Sequence, residues 1–246
     1  MKVKTNWVPS AFTMANLFCG YISTILSANN RFIQAAWLIV AAAFLDALDG
    51  KIERFAKVDS RFGEEYDSLA DVVSFGLAPS FLIYKAVFMN WGMVGLFISS
   101  GPLVFGSIRL ARFNIRLKGR NKEFFEGLPI PAAALGLSTF LIFDNYFWEK
   151  FHWENVYLVM VIAVSILMVT SIRYETLPNF SLQGGVQNRA KFLILFIGIL
   201  LVILFPQQAF FPLAITYILS GPVRLFWLIF RGEDSEKFEK NKEIIE

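Results

Sequence analysis

Apolar residues gather in eight long runs separated by short polar gaps: Pro9–Ala28, Arg31–Asp49, Asp67–Met89, Met93–Phe113, Pro129–Phe147, Val156–Ile172, Ala190–Phe205 and Ala209–Phe230. A helix needs about 20 mostly apolar residues, with a range of about 17–25, to cross the hydrocarbon layer, and each run meets or approaches that length. The seventh is the weakest, being short and ended by Pro206. The pattern predicts an all-α fold, a polytopic membrane bundle of about eight transmembrane helices. No internal repeat and no long linker divides it, so residues 1–246 read as one domain.

Lys and Arg set the orientation, because cytoplasmic loops retain them. Arg54, Lys57 and Arg61 follow the second run; Arg116, Lys118, Arg120 and Lys122 follow the fourth; Arg173, Arg189 and Lys191 flank the gap after the sixth. The other face has little beyond Arg31, Lys85 and Lys150. Eight crossings then place both termini in the cytoplasm. Trp7, Trp91, Trp148, Trp153 and Trp227 stand near run ends, where amphipathic rings meet headgroups. The first run starts after Pro9 with no small-residue cleavage site, so Met1–Val8 reads as a juxtamembrane arm rather than a leader.

Composition strengthens this reading. Of 246 residues 56% are apolar and 17% charged, with a mean hydropathy of +0.53; this excludes a disordered chain and argues against a water-soluble globule. One cysteine, Cys19, makes no intrachain disulfide, and one histidine, His152, makes no triad or zinc site. The net charge is +3, and the Arg231–Glu246 tail carries four basic and six acidic residues. The remaining positive excess is too small and scattered for nucleic acid, which leaves membrane lipid headgroups as the partner of the basic face.

Against that background, carboxylates at the ends of apolar runs are the candidate chemistry, since burying them costs several kcal/mol unless they are paired, hydrated or metal-bound. Asp46-Ala-Leu-Asp49-Gly50-Lys51-Ile-Glu53-Arg54 is followed by Gly63-Glu-Glu-Tyr-Asp67-Ser-Leu-Ala-Asp71. Spacings of three and four put each pair on one helix face. Two pairs on consecutive antiparallel helices converge, and their repulsion is relieved by protonation or by divalent cations. Oxygen ligands favour Mg²⁺, Mn²⁺ or Ca²⁺, and two such ions form a recurring clamp for a diphosphate under displacement. Lys51 and Arg54 suit an anionic substrate, and Gly50 and Gly63 permit close backbone approach. The structural alternative is ion pairing of the acids with Arg54 or Arg61.

The arrangement D-x-x-D-G-x-x-A-R, eight residues, then G-x-x-x-D-x-x-x-D resembles the signature of the CDP-alcohol phosphotransferase family, matched from Asp46 to Asp71 with one departure. Asn16 and Gly20, Asp71–Pro79, Arg109-Leu-Ala-Arg112-Phe-Asn114 and Gly127-Leu-Pro129-Ile-Pro131-Ala132 resemble its serine-using branch. The resemblance reaches to about Pro131 and implies attack by a hydroxyl on the lipid-linked phosphorus of CDP-diacylglycerol, with CMP leaving and L-serine as acceptor. It implies Asp46, Asp49, Asp67 and Asp71 as metal ligands, with Asp71 also the general base, and Gly50, Arg54, Gly63 and Asn16 around the nucleotide and diphosphate. Arg109, Arg112 and Asn114 are candidates for the serine or a lipid phosphate. It further implies two divalent ions, Mg²⁺ or Mn²⁺ with Ca²⁺ as an option, a homodimer, and a site open to cytosol and bilayer.

Glu53 is the departure, standing where the family has Ala; it either turns to water or pairs with Lys57 four residues on, or else accepts from the cytosine amine. Three rivals stand against the leading reading. A relative using glycerol 3-phosphate, inositol phosphate or an isoprenoid-ether donor would share the acids, a cation transporter would spread them through the membrane depth, and a silent scaffold would keep them without CMP release.

Overall fold

In the computed structural model, residues 10–56, 61–116, 124–149, 151, 153–175, 198 and 200–231 are described. The first helix, α1 (Ala11–Ala28), starts where Ser10 turns extended and its hydroxyl accepts the Phe12 and Thr13 N–H groups at 3.1 and 3.2 Å, the usual repair for unsatisfied donors at a helix start. Its buried residues are Thr13, Asn16, Gly20, Ser23 and Ser27. This stripe at alternating three- and four-residue steps consists of small and polar side chains, which let backbones approach in an apolar solvent. The chain then reverses through Asn29–Arg31, with Asn30 at φ 61°. It continues as α2 (Phe32–Ala56), tied to α1 by the Ser23 hydroxyl donating to Ala35 O at 2.8 Å.

The helical stretch from Phe62 to Ile115 has 54 residues, and a straight helix of that length would be about 80 Å long, far more than one bilayer. It is a hairpin. The first arm contains α3 (Arg61–Asp71), a widened π turn (Val72–Leu77), α4 (Ala78–Ile83) and a second π turn (Tyr84–Phe88). The second arm contains α5 (Gly92–Ser99) and α6 (Gly101–Arg116). The reversal lies at Met89–Gly92, where Gly92 takes φ 59°, a left-handed conformation that glycine adopts at little cost. Across the hairpin, Leu103 N–H donates to Ser80 Oγ at 3.1 Å. The first π turn, with Ala78 N–H reaching Val73 O five residues back, directly precedes Pro79; widening there relieves the clash a proline ring makes with the preceding turn.

Next come β1 (Phe124–Glu126), α7 (Ile130–Trp148), α8 (Glu154–Val169), β2 (Arg173–Glu175) and α9 (Pro206–Arg231). The two strands pair antiparallel, Phe125 opposite Tyr174. The fold is all-α as expected, and this short ribbon is a local addition built by two segments 49 residues apart that no local alternation announces. It holds the end of α8: Gly127 N–H donates to Ile172 O at 2.8 Å and Leu128 N–H to Leu167 O at 3.0 Å. It also holds α9, because the Tyr174 hydroxyl donates to Ile218 O at 3.1 Å. Pro222, four residues on, has no N–H for that carbonyl, and the phenol takes its place. Burial, and then the neighbouring Tyr217 phenol, push Tyr174 ionisation up to about 12, so the donor proton stays at neutral pH.

Five helical stretches are long and apolar enough to cross a membrane: Ala11–Ala28, Phe32–Ile52, Phe62–Ile115, Ile130–Trp148 and Pro206–Leu228; Glu154–Val169 is a shorter apolar helix. The third is the doubled one, covering the third and fourth apolar runs. Most of Ala190–Phe205, and with it Met1–Pro9, His152 and the charged tail beyond Arg231, lies outside the described residues. The outer surface is apolar, with Phe18 60%, Phe97 71% and Phe230 84% exposed, as lipid-facing rings should be and a soluble surface rarely is. Inside, Phe75, Leu82, Phe88, Leu137 and Leu141 are fully buried.

Candidate active site

The start of α1, the later part of α2, α3, the end of α6, the start of α7 and the end of α8 lie at one end of the bundle, joined there by the ribbon and by the contacts below. There α2 supplies Asp46 and Asp49, and α3 supplies Asp67 and Asp71. One carboxylate oxygen from each of Asp46, Asp67 and Asp71 lies within 4.8 Å of the other two, Asp71 being buried and its companions half-buried. At an effective dielectric of about 20, each ionised pair at that separation repels by about 3 kcal/mol. Hard divalent cations relieve the repulsion, and a set made only of carboxylate oxygens fits such ions rather than zinc or copper.

Asp49 is placed differently. It is 3% exposed, within electrostatic reach of Asp67, and engaged by α1 on both oxygens. Ser10 Oγ donates to Oδ1 at 2.6 Å, and Thr13 Oγ1 donates to Oδ2. Asp71 is met by the same helix, one turn further in: Asn16 Nδ2 donates to its Oδ1 at 3.3 Å. Asn16 is fully buried, its Oδ1 has no hydrogen-bond partner among the described residues, and its backbone carbonyl accepts the Ser74 hydroxyl at 2.9 Å. A Cβ added to Gly20 would lie 2.6 Å from Ser74 Cα, so only glycine lets α1 come this close to the π turn.

The basic and amide candidates on α6 separate. Arg109 is buried and lies within electrostatic reach of Asp71 and of Tyr217 on α9. Arg112 Nη1 donates to Val169 O at 2.9 Å, closing the end of α8. Asn114 Nδ2 donates to Ser68 Oγ at 3.1 Å and to Glu65 Oε2 at 3.4 Å, joining α6 to α3. Gly50 and Gly63 are half-buried in the helices that bear the acids. Arg54 and Glu53 sit in α2, but their side chains lie outside the described residues.

Sequence reasoning missed Ser10 and Thr13. A signal was present, since Ser10, Thr13 and Asn16 recur every third residue along the start of α1. Ser and Thr so commonly serve as helix caps that the spacing alone does not single them out.

Residues 6–161 match the family model described as CDP-alcohol phosphatidyltransferase. A Helicobacter pylori protein named CDP-diacylglycerol–serine O-phosphatidyltransferase is 37% identical over 235 residues, 95% of either chain. A Methanothermobacter thermautotrophicus protein named archaetidylserine synthase is 39% identical over 171 residues, 68% of this chain and 69% of the relative. A Mycobacterium leprae protein carrying the same name as the Helicobacter one is 30% identical over 246 residues, 95% of this chain and 80% of the relative.

Proposed function

The chain belongs to the CDP-alcohol phosphatidyltransferase family, and from that membership we propose that it transfers the phosphatidyl group of CDP-diacylglycerol to the hydroxyl of L-serine and releases CMP. It is a membrane transferase of phospholipid synthesis. The observation that carries the reading is the 37% identity over 95% of both chains to a relative named for that reaction.

Divalent cations, Mg²⁺ or Mn²⁺ with Ca²⁺ as an option and two in number, would be held by Asp46, Asp49, Asp67 and Asp71, and when bound they neutralise the diphosphate and improve CMP as a leaving group. Asp71 takes the proton of the serine hydroxyl; the freed oxygen attacks the phosphorus bearing the diacylglycerol, and the bond to the CMP oxygen breaks. Gly50, Gly63 and Arg54 border the nucleotide and diphosphate. Asn16 keeps the base in place through its amide N–H, while its Oδ1, an acceptor with no partner among the described residues, suits a nucleobase amine rather than a phosphate. Of the α6 candidates, Arg109 is the one that pairs with the serine carboxylate, since it lies near Asp71 while Arg112 and Asn114 hold neighbouring helices. The site faces the cytoplasm, with eight crossings, both termini on that side and a homodimeric assembly; the Lys and Arg placement supports the orientation, and the family resemblance the dimer.

A second reading keeps serine and replaces the donor by an isoprenoid-ether CDP-lipid, favoured by the Methanothermobacter relative. Cation transport is disfavoured because the acids gather at one end of the bundle. The test is CMP release by purified protein with CDP-diacylglycerol or its isoprenoid-ether counterpart. L-serine, glycerol 3-phosphate and inositol phosphate are offered in turn, with and without Mg²⁺, Mn²⁺ or Ca²⁺. Release that depends on serine and on the cation is expected; release with glycerol 3-phosphate alone overturns the acceptor.

A further inference from the structure

The start of α1 contacts one acid of each pair, Asp49 on α2 and Asp71 on α3, and does so with neutral donors. We infer that Ser10 and Thr13 are positioning residues that aim the Asp49 carboxylate at the divalent cations. The inference rests on the metal reading given above.

A carboxylate has about four acceptor positions, and α1 fills one on each oxygen of Asp49. The Ser10 oxygen takes the Phe12 and Thr13 N–H groups and its proton goes to Asp49 at 2.6 Å, while Thr13 Oγ1 reaches Ser10 Oγ at 3.1 Å as well as Asp49. Thr13 is 3% exposed, and its branched Cβ restricts χ1 within a helix. The carboxylate is thus held through both oxygens, and each oxygen keeps a lone pair that α1 does not use. The kind of donor matters as much as the geometry. A Lys or Arg partner would cancel the charge a metal needs, whereas two hydroxyls satisfy a buried carboxylate and leave its full negative charge. Because Ser10 is at once the cap of α1 and a donor to Asp49, the start of the helix and the cation site are set by one side chain.

The experiment is a Mn²⁺ titration of the full-length protein in detergent micelles, with free Mn²⁺ read by electron paramagnetic resonance. Thr13→Val keeps the shape and removes the donor, and it should weaken Mn²⁺ binding about tenfold or more, the usual scale for partners that orient a ligand. Thr13→Ser should restore binding to within about threefold. Ser10→Gly, which a helix cap tolerates, should also weaken Mn²⁺ and serves if Thr13→Val does not fold. Unchanged Mn²⁺ affinity in Thr13→Val and Ser10→Gly overturns the inference, as does a Thr13→Ser protein as weak as Thr13→Val. If the unaltered protein binds no Mn²⁺, the metal reading falls as well; if it binds and the variants bind equally, only this inference falls.

Discussion

Replacing Gly20 with alanine drives a Cβ to 2.5 Å from Ser74 Oγ and 2.6 Å from Ser74 Cα. The hydroxyl can rotate away, but the Cα belongs to the backbone of the π turn, so α1 itself must move. Restoring an ordinary contact of 3.4–4 Å opens the gap by about 0.8–1.4 Å. Asn16 lies one turn earlier on the same face, and its donation to Asp71 already spans 3.3 Å. The added displacement carries that pair beyond 4 Å, outside hydrogen-bond range. Over-packing of this kind costs about 1–3 kcal/mol of stability, and a misplacement of about 1 Å at a reacting group costs on the order of 100-fold in rate. Gly20→Ala should therefore fold with a modestly lowered Tm and lose roughly 10- to 100-fold in kcat for serine-dependent CMP release at saturating CDP-diacylglycerol and cation. Adding Ser74→Ala trims the hydroxyl and not the Cα, so it should recover little. A Gly20→Ala protein with kcat within about twofold of the original, or full recovery with Ser74→Ala, would refute the claim that backbone contact at Gly20 sets the base.

Asp71→Asn should bind CDP-diacylglycerol with little change while turnover falls by about 10²–10⁴, the range for a removed general base; full turnover would reject Asp71 in that role. Arg109→Gln should raise KM for serine about tenfold or more, as loss of a buried charged pairing does. Arg112→Gln should instead lower Tm through the end of α8 with KM nearly unchanged, and an inverted pattern would exchange the two roles. Tyr174→Phe should cost about 1–3 kcal/mol by leaving the Ile218 carbonyl unsatisfied. Combining it with Pro222→Ala, which supplies the missing N–H, should return part of that loss in a thermal melt.

The legible parts of this protein are those written locally. Apolar length alone marked the first run as Pro9–Ala28, and the helix is Ala11–Ala28. The second apolar run ends at Asp49, yet α2 continues to Ala56, because charged residues at a membrane surface end the apolar pattern without ending the helix. Asp46, Asp67 and Asp71 were readable as a converging set from helical spacing and antiparallel succession. The different attachment of Asp49 was not, since it depends on hydroxyls 36 and 39 residues away. The π turn before Pro79 and the pairing of Phe125 with Tyr174 were equally hidden. One arises from a strain that several backbone solutions relieve, and the other brings together two loops with no pattern in either.

Among the described residues, the bundle between the acid end and the Met89–Gly92 reversal is packed with Phe75, Leu82, Phe88, Leu137 and Leu141, all sealed from solvent. Apolar packing of this kind disfavours passage of a phosphorylated headgroup through the protein. New phospholipid is therefore expected in the same leaflet that supplied its nucleotide precursor. Vesicles holding this protein in one orientation should display their product to a membrane-impermeant amine label on a single side.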